Sequence, residues 1–304
     1  MERVDVKVGF QCNNMCLFCV QGNKRERFDN RTDEEIQEIL RQGRDEGRGE
    51  VVFTGGEPTF RPKSLIEWVK YAKEIGYESI QIQTNGRMLS YMGFCEALIE
   101  AGANEFSPAV HGSKAEIHDR LTGAAGSFGQ VTKGIMNLKK LRQRVMTNSV
   151  VTKINYKDLP DLARLLVSLH VDQFQFAFIH INPIIGGNKE KIEMIVPKVS
   201  DAIPFIREGL DIGIKSGTRC MTEAVPYCMM IGYEKYVAER IMPEVHVFDA
   251  EEDIKDYSKY RQNQGKAKGP RCKECSMNGE CEGPWKEYPE IFGWDEFEPV
   301  AKQK

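Results

Sequence analysis

The sequence contains no long apolar run and no excess of charge of one sign. Its 304 residues include 42 Lys and Arg and 45 Asp and Glu, which give a formal net charge of -3 at pH 7. So small a net charge creates no field that favours nucleic acid or a membrane surface. No segment approaches membrane-spanning length, and the first residues lack the basic and apolar parts of a secretory signal. We therefore expect a cytoplasmic protein without nucleic-acid or membrane partners.

The chain is also much larger than most disulfide-rich folds. The chain nevertheless has nine cysteines, and in a large intracellular chain clustered cysteines indicate metal binding more often than disulfides. Eight of them form three groups: three near the N-terminus, two in CMTEAVPYC and three in CKECSMNGEC. Cys95 stands alone in an amphipathic helical pattern and is interpreted as a small core residue. The grouping predicts metal sites.

Strand and helix patterns alternate over the first two thirds of the chain. Strands separated by helices indicate a parallel sheet with right-handed crossovers. The pattern predicts an α/β fold, either a doubly wound sheet or a partial (β/α)6 TIM-like barrel, and both place ligands at the carboxyl ends of the strands. Thr32 and Glu35 form a capping-box pattern at one predicted helix start. The predicted strands span residues 4–10, 50–54, 78–84, 104–110, 145–154 and 172–181.

The alternation ends after residue 216. Residues 217–304 contain five cysteines, a polar loop and an aromatic tail, without further alternation of strand and helix patterns. We therefore predict two domains, a partial barrel over residues 1–216 and a compact cysteine-rich domain over residues 217–304.

Cys12, Cys16 and Cys19 lie within eight residues, directly after the first predicted strand. Three thiolates bind three irons of a cubic iron–sulfur cluster and leave the fourth iron without a protein ligand. Zinc is the alternative, because CxxC is also a zinc spacing, but a structural zinc site uses four ligands and no His or fourth Cys lies nearby. An iron with a free coordination position is reactive, so these cysteines are predicted to form the catalytic centre.

Two motifs resemble the signatures of the radical S-adenosylmethionine (radical SAM) family. One is the cysteine spacing CxxxCxxC with Phe18 before the last cysteine, and the other is TGGEP at residues 54–58, after the second predicted strand. The resemblance implies that the cysteines hold a [4Fe-4S] cluster whose free iron binds S-adenosylmethionine (SAM). It further implies reductive cleavage of SAM to a 5'-deoxyadenosyl radical that abstracts hydrogen from a C–H bond, with a flavodoxin or ferredoxin as electron donor.

The resemblance also implies residues that contact SAM. Paired glycines let a backbone approach a ligand closely, whereas the Asn-Gly of QTNG at residues 83–86 equally suits an ordinary turn. The inferred cofactor-binding residues are Phe18, Gly55, Gly56, Glu57, Pro58, Thr84, Asn85, Ser107, Asn148 and Lys153.

The segment VHGSKAEIHDRLTG is similar to one in the radical SAM group that contains the molybdenum-cofactor cyclase and the peptide-modifying enzymes. His111 and Gly112 match that group, but Ala109 occupies a position where a serine is common. Ser107 lies two residues earlier, on the same face of a strand, and is the inferred substitute. On the sixth predicted strand, Gln175 and His180 are candidates to line a substrate cavity, with a core histidine as the alternative for His180.

Cys272, Cys275 and Cys281 resemble the centre of the auxiliary-cluster extensions called SPASM and twitch. The further cysteine of the SPASM form is missing, because Trp285 occupies its position. A single auxiliary [4Fe-4S] cluster in a twitch-like domain is therefore implied, with Cys220 or Cys228 as the fourth ligand. A structural zinc site with the same ligands is the alternative. The upstream cysteine that is not a ligand is a candidate hydrogen-atom donor.

The resemblance implies a radical SAM enzyme but leaves two substrate classes open. The twitch-like extension favours a peptide or protein side chain. The cluster motif begins at Cys12, so we expect no N-terminal leader-peptide-binding domain, which favours a small-molecule rearrangement such as cyclisation of a nucleotide-derived substrate. A non-catalytic electron-transfer protein with two clusters is a third possibility, but it leaves GGEP without a role.

Overall fold

One mostly parallel sheet forms the centre of the protein. The computed structural model describes residues 2–181 and 187–301. Within these residues the strands are β1 (Arg3–Lys7), β2 (Glu50–Thr54), β3 (Ser79–Thr84), β4 (Glu105–Pro108), β5 (Arg144–Val151), β6 (Gln173–Phe178), β7 (Arg219–Glu223), β8 (Val245–Phe248) and β9 (Asp253–Ile254). Their order in the sheet is β7-β6-β5-β4-β3-β2-β1-β8-β9, and only the β8–β9 pair among them is antiparallel.

Helices connect the parallel strands. They are α1 (Lys24–Arg27), α2 (Asp33–Asp45), α3 (Pro62–Glu74), α4 (Met92–Ala101), α5 (Ala115–Thr122), α6 (Ser127–Lys140), α7 (Leu159–Ser168), α8 (Lys189–Ile195), α9 (Val199–Ser216), α10 (Tyr257–Tyr260) and α11 (Glu287–Phe292). The predicted capping box is confirmed at the start of α2, where the side chains of Thr32 and Glu35 each accept a hydrogen bond from the other residue's backbone N–H. No helix in the described ranges is both long and apolar enough to span a membrane.

The two faces of each strand differ, as the period of two requires. In β1, the buried Val4 and Val6 face outwards, and Val4 packs closely beside Gly43 of α2. Arg3 faces the barrel interior, where its guanidinium donates to Glu50 Oε2 at 2.9 Å and to Gln81 Oε1 at 3.1 Å. This polar contact fills the interior at the amino ends of the strands, so the carboxyl ends are left for ligands.

The predicted α/β fold is confirmed, and consecutive strands lie side by side from β1 to β7. A doubly wound sheet reverses its strand order, whereas this continuous winding is that of a partial barrel. The six predicted strands correspond to β1–β6.

The expectation that alternation ends at residue 216 is wrong. After α9, β7 pairs in parallel with β6, and β8 pairs in parallel with β1. β7 overlaps the CMTEAVPYC segment, which was considered only for its cysteines, and β8 pairs with β1 from the other end of the chain. The sequence analysis therefore identified neither strand. The division into residues 1–216 and 217–304 stays a prediction. The sheet itself continues past residue 216, because it includes β7, β8 and β9. Residues 1, 182–186 and 302–304 of these two ranges lie outside the described residues.

The C-terminal segment packs against the carboxyl end of β6. Trp285 Nε1 donates to the carbonyl oxygen of Phe178 at 3.3 Å, and the Phe178 and Tyr288 rings meet edge to face. The Tyr288 hydroxyl also accepts a hydrogen bond from the backbone N–H of Val199 at 2.8 Å. These contacts place the C-terminal segment beside the end of the barrel where ligands are expected.

Candidate active site

The loop with the first three cysteines follows β1 at the carboxyl end of the sheet. Its backbone is held by the end of α5, because the N–H groups of Met15 and Leu17 donate to the carbonyl oxygens of Thr122 and Leu121 at 2.8 and 3.0 Å. The three cysteines are half-buried and none forms a disulfide. The structure therefore brings all three predicted thiols to one anchored loop.

The electrostatics of these thiols show that they lie close to one another. Burial, together with the neighbouring Cys19 and Cys12, raises the pKa of Cys16 to about 12. Burial also raises the pKa of Cys12, whereas the N–H of Asn14, 3.4 Å from Cys12 Sγ, opposes that rise. A metal that replaces the protons removes the cost of thiolate formation. The donor set fits a thiolate-bound cluster.

The arrangement of the three thiols suits a cluster of several irons rather than a single metal ion. Within residues 2–181 and 187–301, no three His, Cys, Asp or Glu side chains are grouped around one ion position. In a cubane cluster each cysteine binds its own iron, so the three sulfurs need not converge on one point.

The loop after β2 packs directly on the chain that leads into Cys12. The N–H groups of Gly56 and Glu57 donate to the carbonyl oxygens of Gly9 and Gln11, both at 2.8 Å. Gly55 has a φ of 119°, and a Cβ on it would collide with the Gly9 carbonyl. A Cβ on Gly56 would meet the carbonyls that precede Cys12. The glycine pair is thus needed for contact within the protein, and its contact with SAM stays a prediction.

Glu57 joins the ends of β2 and β3. Its Oε1 accepts hydrogen bonds from the N–H and hydroxyl of Thr59 and from the hydroxyl of Thr84, and its Oε2 accepts the N–H of Asn85 at 2.6 Å. Burial raises the pKa of this carboxyl, and the hydrogen bonds oppose the rise. Pro58 is buried beside it at the start of a short 3₁₀ turn. All four donors are satisfied by one carboxylate, so Glu57 orients neighbouring residues.

Asn85 and Arg87 connect β3 to the cysteine loop. The Asn85 side-chain amide donates to Asn13 Oδ1 at 2.6 Å and lies 3.9 Å from Cys12 Sγ. Arg87 donates to the carbonyl oxygen of Asn13 at 2.6 Å and to Asn14 Oδ1 at 3.1 Å. The sequence analysis missed Arg87 and the asparagine pair. The sequence offered one indication of their role: Asn13 and Asn14 lie inside CNNMC, and Arg87 directly follows QTNG.

Phe18 of the cysteine loop packs against His111. Their ring centroids are 4.6 Å apart in an edge-on arrangement, and both side chains are buried. His111 Nδ1 accepts the N–H of Val150 at 3.2 Å, and burial lowers the pKa of His111 well below its usual value. His111 is therefore a neutral packing residue. Its match to the related VHG segment had not indicated a role.

Polar residues of β3–β6 line the barrel interior. Gln83 is in register with Ser107, and Asn148 is in register with Gln175. Asn148 Oδ1 is buried and has no hydrogen-bond partner among the described residues. An unpartnered acceptor at this depth costs free energy unless a ligand or water satisfies it. Among the inferred cofactor-binding residues, Asn148 thus offers a buried oxygen that can accept a hydrogen bond from a ligand.

Two other candidates face different surroundings. Lys153 is exposed, and its Nζ donates to the carbonyl oxygen of Glu193 in α8 at 2.8 Å, so the structure does not bring it to the cysteine loop. His180 is half-buried and stacks on Trp285 with centroids 4.1 Å apart. It is therefore not a core histidine, and its place in the lining of a substrate cavity stays a prediction.

Gln175 leads to a carboxyl that the sequence analysis missed. Its side-chain amide donates to Glu223 Oε2 at 2.6 Å at the end of β7. Burial and the neighbouring Glu239 raise the pKa of Glu223 to about 7. Glu223 lies within the CMTEAVPYC segment, which the sequence analysis considered only for its cysteines. The pairing of β7 with β6 brings it to Gln175.

A second group of cysteines surrounds a pocket that is partly open to solvent. Burial, together with the neighbouring Cys281, Cys275 and Cys272, raises the pKa of Cys228 to about 12. Burial also raises the pKa of Cys281, and the nearby backbone of Tyr227 and Gly283 opposes that rise. The cavity is lined by four thiols, those of Cys228, Cys272, Cys275 and Cys281.

Cys220 is not part of this group. It is buried in β7, its thiol donates to the carbonyl oxygen of Leu210 at 3.4 Å, and it packs against Gly213 of α9. The alternation of β7 turns Cys220 towards the helix and away from the barrel interior. Of the two candidates for a fourth ligand, the structure brings only Cys228 to the other three cysteines.

Known proteins share both the sequence motifs and the fold. The profile of the radical SAM superfamily matches residues 6–166, more than half of the chain. The probable GTP 3',8-cyclase of Sulfurisphaera tokodaii is 27% identical over 212 residues, which cover 67% of this chain and 66% of that protein. The GTP 3',8-cyclase of Alkaliphilus metalliredigens is 30% identical over 210 residues, 63% of each protein. The chain thus spans less than two thirds of the length of these relatives.

Solved structures of low sequence identity share the fold. SuiB of Streptococcus suis bound to S-adenosylmethionine has a TM-score of 0.67 and 15% identity, and the match covers 99% of this chain and 76% of SuiB. Native anSMEcpe with bound AdoMet has a TM-score of 0.68 and 16% identity, with 94% and 89% covered. The family implies a [4Fe-4S] cluster and SAM, which the thiols of the first loop fit. The chain belongs to the radical SAM superfamily.

Proposed function

We propose that this enzyme abstracts a hydrogen atom from a peptide or protein side chain, with the help of one auxiliary [4Fe-4S] cluster. When bound, the first cluster supplies the electron that cleaves SAM to methionine and a 5'-deoxyadenosyl radical. The observation that carries the proposal is the convergence of Cys228 on the three downstream cysteines at one cavity. Four protein ligands leave no iron free, which favours a role of this second cluster in electron transfer over direct binding of substrate.

The barrel residues would hold SAM and orient it. Cys12, Cys16 and Cys19 are the inferred ligands of the first cluster. Asn148 Oδ1, the buried acceptor without a partner, is suited to a donor group of SAM. Glu57 would keep the ends of β2 and β3 in place through its four hydrogen bonds. In this proposal the C-terminal segment excludes water from the carboxyl end of the barrel.

The peptide assignment draws support from structures with the same fold. One is SuiB bound to the precursor peptide SuiA, which matches 100% of this chain with a TM-score of 0.66. Another is native anSMEcpe with bound AdoMet and the Cp18Cys peptide, with a TM-score of 0.66. Both matches extend far beyond the barrel residues, since they cover 100% and 94% of this chain. We accordingly propose a twitch-like auxiliary domain within residues 217–304.

A small-molecule reaction is the second candidate. Relatives named GTP 3',8-cyclase match about two thirds of the chain at 27% and 30% identity. They favour a nucleotide-derived substrate that is cyclised, with the same initial radical.

Release of 5'-deoxyadenosine distinguishes the two candidates. The protein is reconstituted anaerobically with iron and sulfide, reduced with dithionite, and incubated with SAM and either GTP or synthetic peptides encoded beside its gene. Peptide-dependent release with a changed peptide mass supports the proposal. GTP-dependent release with a cyclised nucleotide supports the second candidate and contradicts the first. A flavodoxin or ferredoxin in a reducing cytoplasm is the proposed natural electron donor.

Iron content tests the second cluster separately. Changing Cys12, Cys16 and Cys19 together to Ala is expected to leave about four irons per chain, because the other thiolates bind a cluster independently. Zinc in place of this residual iron would show a structural zinc site and refute the auxiliary cluster.

A further inference from the structure

Arg25 lies against the segment that connects the first two cysteines of the loop. Its Nη1 is 2.8 Å from Met15 Sδ, and its Nη2 is 3.4 Å from the carbonyl oxygen of Asn14. The guanidinium is half-buried and lies on α1, directly after the loop. A cation is thus held beside the three thiols.

The charge of Arg25 is not compensated by a carboxylate. Its neighbours on α1 are paired, Lys24 with Asp249 at 2.6 Å and Arg27 with Glu251 at 2.5 Å. Across the described parts of the chain, no carboxylate forms an ion pair with Arg25 within 4.0 Å. Its contacts go instead to Met15 and Asn14, which lie between Cys12 and Cys16.

We propose that Arg25 raises the reduction potential of the first [4Fe-4S] cluster. An added electron makes a cluster more negative, and a nearby uncompensated cation stabilises the more negative state. The half-buried position weakens screening by solvent and salt, so the charge acts at close range. The role rests on the first cluster, which family membership implies, and does not depend on the substrate or on the second cluster.

Arg25 is not needed to hold the loop in place. Arg87 also binds this segment, through the carbonyl oxygen of Asn13 and the side chain of Asn14. The end of α5 also bonds its backbone. Removal of Arg25 therefore changes the charge beside the cluster more than it changes the position of the loop, and the two effects are separable by choice of substitution.

Three variants of the full chain test this role. Arg25→Gln removes the charge. Arg25→Lys keeps the charge but gives up the two-point contact with Met15 and Asn14. Arg27→Gln is the matched control, because it removes the same charge from the same helix at a position paired with Glu251. Each protein is reconstituted anaerobically, its iron is counted, and its cluster signal is followed by electron paramagnetic resonance during stepwise reduction with dithionite. The first cluster is identified by the change of its signal when SAM is added.

The expected result is a more negative midpoint potential for Arg25→Gln, with Arg25→Lys and Arg27→Gln close to the parent. An unchanged or more positive midpoint in Arg25→Gln overturns the proposal, and so does an equal shift in Arg27→Gln. If Arg25→Gln loses iron, Arg25→Met, which keeps the reach towards Met15 without the charge, is measured by the same criteria. Failure of the radical SAM function would look different, because no signal of the parent protein would respond to SAM.

Discussion

The carboxylate of Glu57 accepts a hydrogen bond from the backbone N–H of Asn85, with Oε2 2.6 Å from the nitrogen. This bond joins the GGEP loop after β2 to the QTNG turn after β3. Asn85 in turn binds Asn13 in the cysteine loop. Three loops at the carboxyl ends of adjacent strands are therefore connected through one buried carboxylate, which explains why an acid is present at a position without bulk water.

Glu57→Gln is expected to destabilise the fold. The amide group turns an N–H donor towards one of the two sets of donors that the carboxylate satisfies, so a buried donor loses its partner at a cost of about 1–3 kcal/mol. Urea unfolding measures the free energy of unfolding. Glu67→Gln on the exposed face of α3 is the control, with an expected change within about 0.5 kcal/mol. Equal stability of the two variants would contradict the role assigned to Glu57.

Gly56→Ala is expected to disturb the cysteine loop. The added Cβ meets the carbonyl oxygens of Phe10 and Gln11, and backbone that is displaced in this way costs about 1–3 kcal/mol. Gly93→Ala in α4 is the matched control, because a Cβ there has no neighbour within 4 Å and alanine favours helix over glycine. Thermal unfolding and iron content are measured together. Iron retention at parental level in Gly56→Ala would show that the loop tolerates the shift.

Cys228→Ala and Cys220→Ala are expected to differ in iron content. Loss of Cys228 removes one ligand of the proposed auxiliary cluster, so iron beyond the first four atoms becomes labile on gel filtration. Cys220→Ala retains its iron but loses buried packing against α9, at a cost of about 1 kcal/mol. Iron and zinc analysis with urea unfolding checks both variants. The assignment of Cys228 fails if Cys220→Ala is the variant that loses iron.

The free energy of unfolding is expected to decrease as pH rises through the range in which Glu223 titrates. Burial, with a further contribution from Glu239, raises the pKa of Glu223 from 4.5 to about 7. Between these values the native carboxyl keeps a proton that the unfolded chain has released, so the free energy of unfolding decreases as pH rises through this window. Glu223→Gln is expected to flatten the dependence, and urea unfolding at several pH values measures it. The exposed control Glu116→Gln should keep the parental slope. An unchanged slope in Glu223→Gln would place the titration elsewhere.

Much of the barrel could be predicted from the sequence because its information is local. The six strands β1–β6 follow from runs of β-branched and aromatic residues, and the two signature motifs are contiguous. The position of each motif after a strand was enough to place it at the carboxyl edge, since parallel strands all end there. The capping box of α2 was predictable for the same reason, because its two partners are three residues apart.

The sequence by itself determined the family, the cysteine loop and the winding of the first six strands. Only the tertiary structure decided that Cys228 and not Cys220 joins the second cysteine group, that Lys153 is exposed and bonds to α8, and that β7 and β8 extend the sheet. These outcomes depend on contacts between residues far apart in the chain and on which face of a strand meets a helix. A spacing motif specifies distances along the backbone, whereas burial and strand register specify which side chains share a space.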